Sequence, residues 1–142
     1  MRVHKGEVFG GNERLAAIGK GLAVFVSLKK GDNSAKLDEM AERVINLRIF
    51  EDQDGKMQYS LKDKNYEILC ISNFTLLANT GKGRRPSFED ALGFQEANKL
   101  FADFIAVLES KGVAIRSGAF GKHMDINLSL DGPVNILLER GG

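Results

Sequence analysis

The chain is poor in the residues that staple or metallate a small protein: its 142 residues contain one cysteine, two histidines, two prolines and no tryptophan. A lone Cys70 rules out an internal disulfide, and with only His4 and His123 as further soft ligands no zinc-binding spacing can be written, so neither a metal nor another cofactor is expected. No apolar run approaches the roughly 18–20 residues of a membrane span, and the opening "MRVHKGEVFGG" lacks the apolar core of a signal peptide. A cytoplasmic protein is the expectation. Nor is there an excess of charge of one sign. The 20 basic and 19 acidic side chains leave +1, so attraction to a polyanion must come from a local patch.

Glycine is abundant, 16 residues against a usual share of about 7%, and implies many tight turns. The length suits a single domain over residues 1–142, with no internal repeat, linker or low-complexity segment. "GLAVFVSL" (21–28) reads as a buried strand, and "NERLAAIG" before it as its antiparallel neighbour across the bend Gly19-Lys20-Gly21. From Ser34 a helical stripe follows, Leu37, Met40, Ala41, Val44 and Leu47, with a second helix over 94–111 presenting Leu100, Phe101, Phe104, Ile105 and Leu108. Between them, "LRIFEDQDGKMQYSL" reads as a hairpin and "YEILCISNFTLL" as a long core strand. The last third reads as strands "VAIRSG", "HMDINLSL" and "VNILLE", the last two joined by a tight Asp131-Gly132-Pro133 turn. The class is α+β, mainly antiparallel sheets packed with two principal helices.

Chemistry concentrates in "SNFTLLANTGKGRRPSF" (72–88). Ser72 and Thr75 carry hydroxyls at a strand end, yet no histidine lies near them and no nucleophile elbow is present. A Ser-His-Asp triad can be drawn with His123 and Asp125, but an exposed, solvated pair explains those two equally well. His4 reads as a surface side chain beside a terminal strand. Lys82, Arg84 and Arg85 lie among glycines whose N–H groups can approach an anion, either a phosphate site or a solvated turn held by Pro86. The loop is not a P-loop, because the G-x-x-x-x-G-K-[ST] spacing is absent.

Five ordered blocks, "IGKGLAVFVSLKKGD", "NLRIFEDQDGKM", "SNFTLLANTGKGRRPSF", "GAFGKHMDINLSLDGPV" and the closing "ILLE", resemble the D-aminoacyl-tRNA deacylases, also called D-tyrosyl-tRNA deacylases. That family's Ser-Gln-Phe-Thr-Leu segment corresponds to Ser72-Asn73-Phe74-Thr75-Leu76, with asparagine for glutamine. Its Asn-x-Gly-Pro-x-Thr segment corresponds to Leu130-Asp131-Gly132-Pro133-Val134-Asn135, which keeps Gly-Pro and loses the Asn and the Thr. Met1-Arg2-Val3 resembles the end of the family's first strand, whose earlier residues are missing here.

The resemblance implies a homodimer that hydrolyses the ester of D-aminoacyl-tRNA, and of glycyl-tRNA on a non-cognate tRNA. The Gly132-Pro133 loop of one subunit would enter the other's pocket and exclude L side chains, with Arg2 steadying it. Ser72, Asn73, Phe74 and Thr75 would form the catalytic segment, acting through backbone N–H groups on the oxyanion, with the Thr75 hydroxyl as a secondary candidate. Phe120 and Met124 would line the side-chain space, for which core packing is the competing reading. Lys82, Arg84 and Arg85 would meet tRNA phosphates. A second reading, favoured by Asn73, Leu130 and Asn135, is a catalytically silent paralogue serving as a dimeric tRNA-binding module. An unrelated serine or threonine esterase is a third.

Overall fold

A computed structural model of the chain describes residues 1–140. The elements in order are β1 (Arg2–Gly10), β2 (Glu13–Ile18), β3 (Gly21–Val26), α1 (Ser34–Asn46), β4 (Phe50–Glu51), β5 (Met57–Tyr59), α2 (Leu61–Lys64), β6 (Glu67–Ser72), a 3-10 turn (Phe74–Leu77), α3 (Phe94–Ser110), β7 (Ala114–Ser117) and β8 (Asp125–Leu130). The main sheet runs β2-β1-β3-β6-β7, with β8 on the other edge of β1. β1 is antiparallel to β2, β3 and β8, whereas β3-β6 and β6-β7 are parallel, so the expected α+β class with mainly antiparallel pairing holds. The sheet curls until β2 approaches β6 and β7, a nearly closed barrel.

β6 shows why the fold coheres. Its "EILCIS" is apolar on both faces: Ile68 and Cys70 pack beneath the helices, while Leu69 and Ile71 join Val3, Val8, Ala16, Ile18 and Ala23 inside the curl. A strand buried on both sides has no polar face to alternate, which is why it reads as a continuous apolar run. The helices supply the other wall. Leu37, Ala41, Val44 and Ile45 of α1 meet Phe101, Phe104 and Leu108 of α3. Asn33 caps α1 by accepting from the Lys36 N–H at 3.1 Å. Lys111 Nζ, just after α3, ties back to Asp38 at 3.0 Å and Glu42 at 2.8 Å.

Three expected strands are corrected. β2 is not the antiparallel partner of β3; both lie end to end along one edge of β1, as Gly6↔Ile18 and Val3↔Gly21 show. Gly19-Lys20-Gly21 therefore bends one long ladder rather than reversing it. A Cβ at Gly21 would lie 1.8 Å from the Glu67 carbonyl oxygen, so the approach of β6 there needs glycine. The strand expected through "SNFTLL" stops at Ser72, because Asn73 captures the following backbone in a 3-10 turn. "VNILLE" is no strand: Arg2 N–H takes the Val134 carbonyl, Val134 and Leu138 pack on the helix-side core, and Arg140 pairs with Glu39 of α1 at 2.7 Å. The tail crosses to the helices instead of extending the sheet. β1 itself, nine residues long, exceeds the terminal stub expected from Met1-Arg2-Val3.

Candidate active site

β6 delivers Ser72 beside Val26, the last residue of β3, and the next residues are pinned by polar contacts. Asn73 N–H donates to the Val26 carbonyl at 2.8 Å, and the Ser27 hydroxyl donates to the Asn73 carbonyl. Asn73 Oδ1 in turn accepts from the Thr75 N–H at 3.2 Å and from the Thr75 hydroxyl. Both Thr75 donors are thus engaged within the segment. That narrows the expected pair of backbone donors: Phe74 N–H makes no hydrogen bond to a described residue, whereas Thr75 N–H is occupied. Phe74 itself is 56% exposed, its ring set edge-to-face on Phe88 with centroids 5.1 Å apart.

Beyond the turn, Asn79 and Ser87 exchange two backbone hydrogen bonds, 2.7 and 2.9 Å, which close the neck of a loop. Lys82, Arg84 and Arg85 stand exposed at its tip, forming no ion pair among the described residues. Gly83 takes φ +67°, a backbone conformation glycine adopts without steric cost.

The second motif is built around a buried arginine. Arg2 is 4% exposed, and its guanidinium donates to the Ile49 carbonyl at 2.8 Å, the Asp131 carbonyl at 3.1 Å and Glu51 Oε1 at 3.3 Å. Asp131 Oδ2 lies 3.3 Å from Nε, and the Arg2 backbone brackets the loop by bonding Asp131 N–H and the Val134 carbonyl. Between those bonds Gly132 and Pro133, joined by a cis peptide, are exposed. Only the resemblance pointed to Arg2; an arginine at a chain start gives no sequence signal of burial.

Register separates the two motifs within one chain. Val3 of β1 pairs with both Gly21 and Leu130, so the Gly-Pro loop sits level with the start of β3, whereas Ser72 sits level with its end at Val26. At ~3.3 Å per residue the offset along β3 is roughly 16 Å. No hydrogen bond or ion pair among the described residues joins Ser72–Thr75 to Asp131–Pro133.

Phe120 packs against Phe94 and Phe101, with ring centroids 5.1 and 5.8 Å away, and Met124 abuts Gly118 and the inner cluster. Both are half-buried, with core contacts on one side. His123 and Asp125 are 3.9 Å apart and 93% and 72% exposed, a solvated pair, so the triad drawn from sequence does not form. Burial pushes the Cys70 thiol up to about 12, leaving no thiolate nucleophile near neutral pH.

The sequence profile of a family described as D-Tyr-tRNA(Tyr) deacylase matches residues 1–139. The D-aminoacyl-tRNA deacylase of Thermodesulfovibrio yellowstonii is 43% identical over 138 residues, 97% of this chain and 94% of that protein. That of Clostridium perfringens is 44% identical over 139 residues, 98% and 93% of the two chains. Among solved structures, a c-Myc DNA Unwinding Element Binding Protein superposes with a TM-score of 0.93 at 37% identity, covering 99% of this chain and 96% of its own. A probable eukaryotic D-amino acid tRNA deacylase shares the fold, with a TM-score of 0.76 at 16% identity over 90% of each chain.

Proposed function

The chain belongs to the D-Tyr-tRNA(Tyr) deacylase family, a family of hydrolases, and on that premise we propose that it cleaves the ester of D-aminoacyl-tRNA, and of mischarged glycyl-tRNA, in the cytoplasm, releasing free amino acid and tRNA as translation quality control. The reaction asks little of a side chain. Water adds to the carbonyl carbon of an already reactive ester, the bond to the terminal ribose oxygen breaks, and that oxygen takes a proton; the neighbouring ribose hydroxyl assists. The protein positions the ester and stabilises the oxyanion. The Phe74 N–H is the donor we assign to it, a contribution of about 2.7–4 kcal/mol for one such group. Asn73 keeps the Thr75 hydroxyl turned into the segment, which favours a backbone role over a threonine nucleophile.

The observation that carries the reading is the pairing of an exposed Gly132-Pro133 loop, braced by Arg2, with a catalytic segment that its own chain places far along β3. A homodimer brings the two together, each subunit's loop entering its partner's pocket. Bare backbone there admits a D side chain, or none, and collides with an L side chain. Phe120 and Met124 wall the side-chain space, and Lys82, Arg84 and Arg85 meet phosphates of the acceptor end.

The test is amino-acid release from D-tyrosyl-tRNA and L-tyrosyl-tRNA side by side, on protein whose mass in solution has been determined. Loss of the D ester alone, by a dimer, supports the reading. No loss of either, with tRNA still bound, makes the protein a silent binding module.

A further inference from the structure

β1 carries one residue more than β8 can match. Val3 pairs with Leu130 and Lys5 with Ser129, so His4 is the extra residue of a β-bulge, a device that bends a strand and re-aims a side chain. Here it brings His4 Nε2 to 3.7 Å from Asp131 Oδ1. Asp131 is the base of the Gly132-Pro133 loop, and Arg2 already grips the same carboxylate. Resting on the reading of that loop as the part that sorts D from L, we infer that His4 is a positioning residue for it. When protonated, the imidazole is a second cation on Asp131, so the order of the loop, and with it the rate of D-aminoacyl-tRNA hydrolysis, falls as pH rises between about 5 and 8, where histidine changes charge.

The charged groups facing His4 have both signs. It opens on a cleft of about 160 Å³ shared with Lys20 from the bend between β2 and β3, Glu51 of β4, Lys64 of α2, Tyr66, Arg2 and Asp131. Lys20, Lys64 and Arg2 are the cations of that cleft, and Asp131 and Glu51 are its anions. Arg2 draws on Glu51 Oε1 and on both oxygens of the Asp131 carboxylate, with Nε 3.3 Å from Oδ2 and Nη2 3.4 Å from Oδ1, so the His4 imidazole shares Oδ1 with the guanidinium. His4 is 54% exposed, so solvent screens the pair and a population change of about two- to fivefold is expected.

The experiment follows the Gly132 amide and the His4 imidazole by NMR from about pH 5 to 8, in the parent, His4→Gln and His4→Arg. Hydrolysis of D-tyrosyl-tRNA is measured on the same samples, with the uncatalysed rate subtracted. In the parent the Gly132 shift should titrate with His4, and in His4→Gln it should stay flat. The rate ratio of parent to His4→Gln should be about two to five at the acid end and approach unity at the alkaline end, while His4→Arg keeps the acid-end rate throughout. A Gly132 amide that stays flat in the parent, or titrates identically in His4→Gln, overturns the inference; so does a rate ratio independent of pH in an active enzyme. If the amide coupling is present in a protein that hydrolyses no D-tyrosyl-tRNA at any pH, the positioning role stands and the deacylase reading falls.

Discussion

Replacing Arg2 with methionine tests whether a buried guanidinium holds the Gly-Pro loop. Methionine keeps the apolar stem and removes the charge and its fork of donors. The Ile49 carbonyl loses its 2.8 Å partner inside a buried stretch, and an unsatisfied buried acceptor costs about 1–3 kcal/mol. Glu51 and Asp131 are 49% and 37% exposed, so their carboxylates rehydrate and each lost pair adds only about 0–1 kcal/mol. Together these come to about 1–5 kcal/mol, not exceeding the roughly 5–15 kcal/mol of a typical domain, so the variant is expected to fold. Urea unfolding at one protein concentration reads the stability. If about 1.4 kcal/mol of the loss falls on the loop, hydrolysis of D-tyrosyl-tRNA by the folded variant drops about tenfold. Arg2→Lys should fall between, because an ammonium cannot reach two carbonyls and two carboxylates at once. A methionine variant as stable and as active as the parent would refute the reasoning.

Other expectations follow from the same geometry. Thr75→Ala should retain near-full D-tyrosyl-tRNA hydrolysis if the backbone does the chemistry, whereas loss of activity with fold and tRNA binding intact would assign the work to the hydroxyl. Alanine at Lys82, Arg84 and Arg85 together should reduce the slope of log affinity for tRNA against log salt by about 2–3 while leaving the urea midpoint in place. Cys70, with its thiol pushed up to about 12, should resist alkylation in the native protein at mildly alkaline pH and react once urea unfolds the chain. The hydrogen bond from Lys111, and then its charge, holds the Glu42 carboxyl below its usual range, while hydrogen bonds to Glu42 and then Asp38 raise Lys111. The Glu42 contribution is therefore present above the unfolded carboxylate value of about 4.3 and lost as pH falls through the lower folded value. That of Lys111 is complete below about 10.4 and lost as pH rises through its raised value. Stability curves of Lys111→Met against pH should lack the alkaline slope and show a weaker acid one, because Asn46 and Lys62 still act on Glu42.

The elements legible in the sequence were those whose side chains carry a period. The α1 and α3 stripes, the apolar run of β6 and the hairpin around Gly55 all correspond to packed or paired segments. What failed to show was decided by tertiary partners. β1 has glycine at positions 6 and 10, and its bulge at His4 breaks the alternation that would have announced a long strand. Beside that bulge Ser129 is half-buried and Leu130 is 43% exposed, so the apolar-in, polar-out alternation kept from Met124 to Leu128 ends before β8 does. "NERLAAIG" and "GLAVFV" look like two arms of a hairpin because glycines separate them. Only the shared partner β1 shows that they form one bent ladder.

The candidate site was legible for a different reason. Its residues form contiguous motifs, so resemblance could nominate Ser72–Thr75 and Gly132-Pro133 without any knowledge of where the fold places them. Periodicity could not place Arg2, whose role depends on a carbonyl 47 residues away and a loop 129 residues away. Strand register adds what the motifs lack. Because Val3 fixes both Gly21 and Leu130, sliding the loop toward Ser72 would require breaking the β1-β8 ladder, six paired positions long. A side-chain rearrangement cannot span roughly 16 Å of strand, but a second copy of the chain can. In the proposed dimer, bracing by Arg2 would hold the exposed Gly132-Pro133 backbone in shape before it met that copy, which would lower the ordering cost of assembling a pocket from two subunits.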